Sequence, residues 1–183
     1  MTKKVSVFLA DGFEEIEGLT VVDLLRRVQI EVNMVSITGE MTVHGAHGID
    51  VQADELFENM NYEEQDMLVL PGGMPGTIYL GQHEGLEKLL RTFYEQKKYI
   101  AAICAAPSVL GRYGFLQGRE ATSYPGFEKE LVGAKYVTDS VAVSDFVITS
   151  RGMGTAIDFS LAIITQLVGK EKANQIAEAI IYR

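Results

Sequence analysis

The chain has 183 residues, 47% hydrophobic and 22% charged, with one cysteine. That profile excludes a disordered or collagen-like chain, and a lone cysteine excludes an internal disulfide, which points to a reducing compartment. Sixteen basic against 25 acidic residues leave a net charge of −9, which argues against nucleic acid and anionic membrane surfaces as partners.

The first strand pattern is Val5–Ala10, after the basic pair Lys3-Lys4 and ending at Asp11. Six residues are too few for the apolar region of a signal peptide. No stretch approaches the roughly 18 apolar residues that span a bilayer, so a soluble, cytoplasmic protein is expected. A helix is predicted over about Glu15 to Val28, then an alternating strand over Ile30 to Ile37. A small β pair is predicted around His44 to Val51, followed by a buried-type strand at Asp66–Leu70 that closes on Pro71-Gly-Gly73.

Helical pattern continues from about Glu84 to Lys97, a strand over Tyr99–Ile103, and a helix from Ala105. The segment from Lys135 to Ser150 reads as a hairpin, with Val141–Val143 and Phe146–Thr149 around Ser144-Asp145. Two helices close the chain, about Thr155 to Val168 and Glu171 to Ile181, with Gly169 as the stop between them. Strands apolar on both faces and separated by helices imply one doubly wound α/β domain over residues 1–183, with a mostly parallel sheet covered on both faces. In such folds ligands bind beyond the carboxyl ends of the strands, so the loops after Ala10, Leu70, Ile103 and Thr149 hold the candidates.

Cys104 sits where a buried strand turns into a helix, with small residues after it and Pro107 in the first helical turn. The shape is that of a nucleophile elbow with its glycines replaced by alanines. A helix N-terminus there is expected to lower the thiol pKa below about 8.5. The plainer reading is a cysteine buried for packing.

Asp11-Gly-Phe-Glu-Glu-Ile-Glu17 opens the first helix, and Glu14 and Glu15 suit its dipole. Glu17 fits less well, because it shares the apolar stripe with Val21, Leu24 and Val28. A carboxylate on the core side takes a partner or a proton, and a protonated Glu17 would donate to a Cys104 thiolate. The Leu70-Pro-Gly72-Gly73-Met-Pro-Gly76 loop is neither a dinucleotide nor a triphosphate motif. It reads either as an oxyanion pocket of the Gly72 and Gly73 amides with that of Ala105, or as a tight turn. In Ser150-Arg151-Gly152-Met-Gly154, Arg151 would bind an anion or pair with a local acid. His44, His47 and His83 read as solvated surface, and with a single cysteine no metal-ligand spacing emerges.

Asp11–Glu17, Leu70–Gly73, Ala101–Pro107 and Thr149–Thr155 together resemble the ThiJ/PfpI superfamily, in the branch of the Parkinsonism-associated deglycase and its bacterial relatives. The resemblance covers nearly the whole chain, and four motifs in order are far more specific for the family than for a reaction. It implies a flavodoxin-like three-layer sandwich and a homodimer. It also implies a reactive Cys104, a protonated Glu17, and backbone donors at Gly72, Gly73 and Ala105.

Relatives are cofactor-independent glyoxalases or deglycases, so a small aldehyde or glycated substrate is expected, with no cofactor. The alternative is a redox-responsive stress protein or chaperone whose cysteine becomes a sulfinic acid. More remote members are peptidases, other hydrolases, or proteins tied to thiamine (thiazole monophosphate) biosynthesis. One departure stands out. Many members carry His-Pro where this chain has Tyr124-Pro125, and a phenol with a pKa of about 10 is a poor base. Tyr124 is instead expected to donate a hydrogen bond to substrate.

Overall fold

The computed structural model describes residues 2–182. The N-terminal half runs β1 (Lys4–Leu9), α1 (Glu15–Arg27), β2 (Glu31–Ser36), β3 (Thr42–His44), β4 (Asp50–Gln52), β5 (Glu55–Leu56) and β6 (Met67–Leu70). It continues through α2 (Gly76–Gln82), α3 (Glu84–Glu95), β7 (Tyr99–Ile103), α4 (Pro107–Arg112), β8 (Glu120–Ala121) and β9 (Lys135–Tyr136). The hairpin β10 (Val141–Ser144) and β11 (Val147–Ser150) leads into α5 (Ala156–Val168) and α6 (Lys170–Ala179).

Seven strands form one sheet in the order β10-β11-β7-β6-β1-β2-β5, parallel throughout except for the β10–β11 edge pair. Side chains alternate across each strand. Val5, Val7 and Leu9 of β1 pack with Val21, Leu25 and Phe159 on one face, where α1, α5 and α6 lie. Phe8 and Ala10 pack with Leu80, Leu90 and Val109 on the other, under α2, α3 and α4. Each such large side chain contributes roughly 1.5–3 kcal/mol through burial. The result is the expected α/β sandwich of three layers, and the run of apolar residues in each strand is explained by burial on both faces. Among the described residues no helix is long and apolar enough to cross a membrane.

Gly169 ends α5 with φ +98°, as its position implied. Several boundaries differ from expectation. α2 was not anticipated, because seven residues with a glycine at each of two positions carry too little periodicity to register. The fourth helix starts at Pro107, not Ala105, since Cys104 and the two alanines form the turn itself. Lys135-Tyr136 is not part of the hairpin; it pairs parallel with β8. The two-residue strand β5, which was not expected, extends the sheet beyond β2.

The sheet order has one direct consequence for chemistry. β11, β7, β6 and β1 are immediate neighbours, so the four loops singled out by their residues emerge side by side at one edge of the sheet.

Candidate active site

Cys104 caps β7 with φ +65°, the left-handed region, which costs a non-glycine residue about 1–2 kcal/mol. Two backbone hydrogen bonds hold it there. Its amide donates to the Ser150 carbonyl at 2.9 Å, and its carbonyl accepts from the Tyr124 amide at 2.8 Å. The elbow shape expected from the sequence is therefore present, with the side chain half-buried.

Glu17 is 1% exposed and shares the inner stripe of α1 with Val21 and Leu24. Val28, expected on the same stripe, lies just past the helix end and is half-buried. The Glu17 carboxyl is hydrogen-bonded to Cys104, and its Oε2 accepts the Gly72 amide at 2.9 Å. Burial, opposed by these two contacts and reinforced by the nearby Glu14 charge, pushes this carboxyl up to about 7. Desolvation shifts the carboxyl in the direction expected from its place on the apolar stripe.

Two expectations need correction. The Gly72 amide does not point at an oxyanion position, because it is committed to Glu17. The Gly73 and Ala105 amides remain, and both donate to the Cys104 sulfur. The thiol itself is pushed up to about 12, by burial first and then by the charge of an ionised Glu17, and its hydrogen bond to that carboxylate also opposes ionisation. The expected lowering is outweighed: the Ala105 and Gly73 amides act in that direction, but burial and the ionised Glu17 act against it more strongly. A proton on Glu17 removes the repulsive charge and leaves the Gly73 and Ala105 amides to favour the thiolate.

Glycines let the loops close on this pair. A Cβ at Gly72 would stand 2.6 Å from both the Cys104 Cβ and the Glu17 Oε2. One at Gly152 would stand 3.9 Å from the Cys104 Sγ and 3.3 Å from the Tyr124 ring. Gly152 was missed as a wall of the site; its spacing in the chain carries no sign of what packs against it. Tyr124 is 52% exposed, and its ring and the Cys104 sulfur both line the space next to Gly152. Arg151 donates to the Thr138 carbonyl at 3.3 Å; Glu128, held low chiefly by the Gly126 amide, also feels its charge.

His44 and His47 lie at the exposed surface, as expected, though each is paired, and His83 is partly buried. His44 pairs with Asp50 at 2.7 Å. His83 caps α3, its Nδ1 accepting the Leu86 amide at 2.9 Å, and stacks edge-on against Phe57. His47 contacts Glu15, which is buried rather than merely a dipole-matching surface acid. Each imidazole is engaged away from Cys104. Glu14, Glu15 and His47 do bring three potential ligand atoms within 4.8 Å of one another, a grouping that linear spacing did not reveal. A separate cleft of about 410 Å³ opens at the carboxyl ends of β1 and β2, lined by Asp11, Thr38, Tyr79 and His83 among others.

The sequence model of the DJ-1/PfpI family matches residues 3–166. A protein described as DJ-1 homolog A of Arabidopsis thaliana is 37% identical over 100% of this chain, which spans 47% of that longer relative. A Caenorhabditis elegans protein described as the glutathione-independent glyoxalase DJR-1.2 is 34% identical over 91% of this chain and 89% of its own. Among solved structures, Toxoplasma gondii DJ-1, described as oxidized, superposes with a TM-score of 0.95 at 38% identity, covering 98% of each chain.

Proposed function

The chain belongs to the DJ-1/PfpI family, and we propose that it is a cofactor-independent glyoxalase or deglycase acting on reactive dicarbonyls through Cys104 and Glu17. The observation that carries this reading is the buried Glu17 carboxyl, hydrogen-bonded to the only thiol of the chain and held from behind by the Gly72 amide. The relative described as a glutathione-independent glyoxalase supports it.

With Glu17 protonated, the Cys104 thiolate adds to the aldehyde carbon of methylglyoxal, forming a C–S bond while the carbonyl π electrons move to oxygen. The Gly73 and Ala105 amides and the Tyr124 hydroxyl stabilise that oxyanion, and Glu17 delivers its proton to it. The Glu17 carboxylate then takes the proton from the carbon that bears sulfur and passes a proton to the ketone oxygen, giving an enediol; protonation of the neighbouring carbon by Glu17 with loss of the proton from the first hydroxyl leaves a lactoyl thioester. Water cleaves the C–S bond, releasing lactate and the thiol. Methylglyoxal plus water thus becomes lactic acid, with no net redox change.

A homodimer is part of this reading, as the family resemblance implies. D-lactate formation from methylglyoxal, without added thiol or metal, tests the chemistry. It is expected in the wild type and lost in Cys104→Ser and Glu17→Gln. Equal turnover in all three would overturn it.

A second reading is favoured by the same sulfur environment. The Gly73 and Ala105 amides and a protonated Glu17 are three donors that suit a sulfinate as well as a thiolate. Its sign is a gain of two oxygen atoms in intact mass under mild peroxide, abolished by Cys104→Ser.

A further inference from the structure

The cleft of about 410 Å³ at the carboxyl ends of β1 and β2 is used by no step of the chemistry above. It forms where the chain kinks: α2 is seven residues long, and His83, which ends it, also starts α3. Ala10, following β1, and Ile37, following β2, line it and belong to the apolar cluster that holds Leu80 of α2. α1 packs on the opposite face of the sheet, and β6 stands between β1 and β7. The cleft is therefore separate from the Cys104–Glu17 pair.

Its polar groups are open for a ligand. Tyr79, Gln82 and His83 follow the i, i+3, i+4 spacing that places side chains on one face of a helix. Among the described residues, the Tyr79 hydroxyl and the Gln82 side-chain amide have no hydrogen-bond partner. The His83 Nδ1 accepts the Leu86 amide at 2.9 Å, and burial, by lowering its pKa, keeps the ring neutral at neutral pH. The imidazole proton is then on Nε2, which is left as a donor. Asp11 Oδ1 accepts the His44 amide at 2.9 Å, and Oδ2 stays open. Thr38 differs, since its hydroxyl is already bonded to Ser36 and to the Glu40 carbonyl.

Charge narrows the class of occupant. Asp11 lines the cleft, the Glu58 charge reaches His83, and neither lysine nor arginine is among the described residues that line it. A phosphate or carboxylate is repelled there, whereas a neutral molecule rich in hydroxyl and amine groups is not. The open groups then sort by what each can recognise. A carboxylate beyond the strand ends accepts from a ribose hydroxyl, as acidic residues do in nucleotide-binding α/β folds. A primary amide matches the donor–acceptor edge of adenine, and a tyrosine ring that is 46% exposed offers a face for base stacking. Apolar walls with a few convergent polar groups are the usual build of a small-molecule site.

We propose that this cleft binds an uncharged purine nucleoside, with adenosine as the type ligand. The base stacks on Tyr79 and is held by Gln82 and the His83 Nε2–H, and the ribose donates to Asp11. The proposal stands whether or not the chain turns over dicarbonyls.

Adenosine titrated calorimetrically into the full-length chain is expected to bind one equivalent, in wild type and in Cys104→Ser alike. AMP, repelled by Asp11, is expected to bind about tenfold more weakly or worse. Tyr79→Ala should weaken adenosine binding about tenfold, by loss of stacking, with a melting temperature close to wild type. His83→Asn, which keeps an acceptor for the Leu86 amide, should weaken it severalfold. Asp11→Asn keeps the acceptor for His44 and should narrow the gap between adenosine and AMP. Neither binding heat nor a rise in melting temperature at millimolar adenosine in the wild type overturns the proposal. So does undiminished binding in both Tyr79→Ala and His83→Asn. AMP bound as tightly as adenosine overturns the uncharged class, and loss of binding in Cys104→Ser overturns the site by placing the ligand at the thiol.

Discussion

The Gly72 amide donates to Glu17 Oε2 at 2.9 Å, tying the loop after β6 to the helix after β1 across 55 positions of chain. Because Oε2 is an acceptor in that bond, a proton on Glu17 belongs on the other oxygen. That leaves one oxygen as the proton carrier and the other as a fixed anchor, which sets the orientation of the carboxyl relative to the sulfur.

The raised Glu17 carboxyl makes stability depend on pH. Its native value is about 7 against an ordinary 4.5, so between those values the folded chain holds a proton that the unfolded chain has lost. The stability this contributes is full below pH 4.5 and is lost as pH rises through about 7. Glu17→Gln does not titrate. Denaturant unfolding at pH 5 and pH 8 should therefore show the variant gaining on wild type by about 2.5 kcal/mol across that range. A gain in the opposite direction would mean that Glu17 is folded as a stabilised anion.

The thiol reports on the same carboxyl. Removing the Glu17 charge leaves burial opposing ionisation, with the Ala105 and Gly73 amides favouring it. In Glu17→Gln, Cys104 should ionise below the value of about 12 to which burial first, and then the ionised Glu17, raise it. Thiolate absorbance in the ultraviolet, followed against pH, gives the answer. A thiol that stays protonated to the same pH in the variant would assign the whole effect to burial.

Two glycine substitutions separate packing from access. Gly72→Ala places a methyl 2.6 Å from the Cys104 Cβ and the Glu17 Oε2, and should cost about 1–3 kcal/mol with loss of activity. Gly152→Ala meets the Tyr124 ring at 3.3 Å and the sulfur at 3.9 Å, on backbone that is simply extended. It should fold with a melting temperature close to wild type, raise KM for methylglyoxal, and slow Cys104 alkylation by a bulky reagent more than by a small one. A Gly152→Ala chain that unfolds like Gly72→Ala would remove Gly152 as an access wall.

His83 holds the N-terminus of α3 only while its Nδ1 carries a free lone pair. Burial lowers its pKa below the ordinary 6.5, so the native state binds fewer protons than the unfolded chain. The stabilisation is complete above pH 6.5 and is lost as pH falls through the lowered native value. His83→Asn keeps a capping oxygen that does not titrate, and His83→Ala should cost about 0.5–2 kcal/mol near neutrality. Melting curves between pH 7 and pH 5 should fall more steeply for wild type than for His83→Asn. Parallel curves would show that the cap survives protonation.

Much of the fold was legible because its signals are local. Apolar runs buried on both faces named the strands β1, β6 and β7, and the residues following β1, β6, β7 and β11 marked the loops that meet at the site. Glu17 announced itself by standing on an apolar stripe beside Val21 and Leu24, a conflict within three turns of helix. The elbow at Cys104 was readable from a strand, small residues and Pro107.

What the tertiary structure decided is which groups face each other and how dry they are. The Gly72 amide is lost to the oxyanion because it reaches Glu17, and no periodicity encodes a bond across 55 residues. His47 meets Glu15 across 32 residues through a loop that only the folded chain closes. The thiol rises rather than falls because its ionisation answers to burial and to a neighbouring charge, both properties of three-dimensional packing. Sequence determines residue chemistry and local geometry; proton affinities and hydrogen-bond partners depend on distance and solvent exclusion, which exist only once the layers have packed.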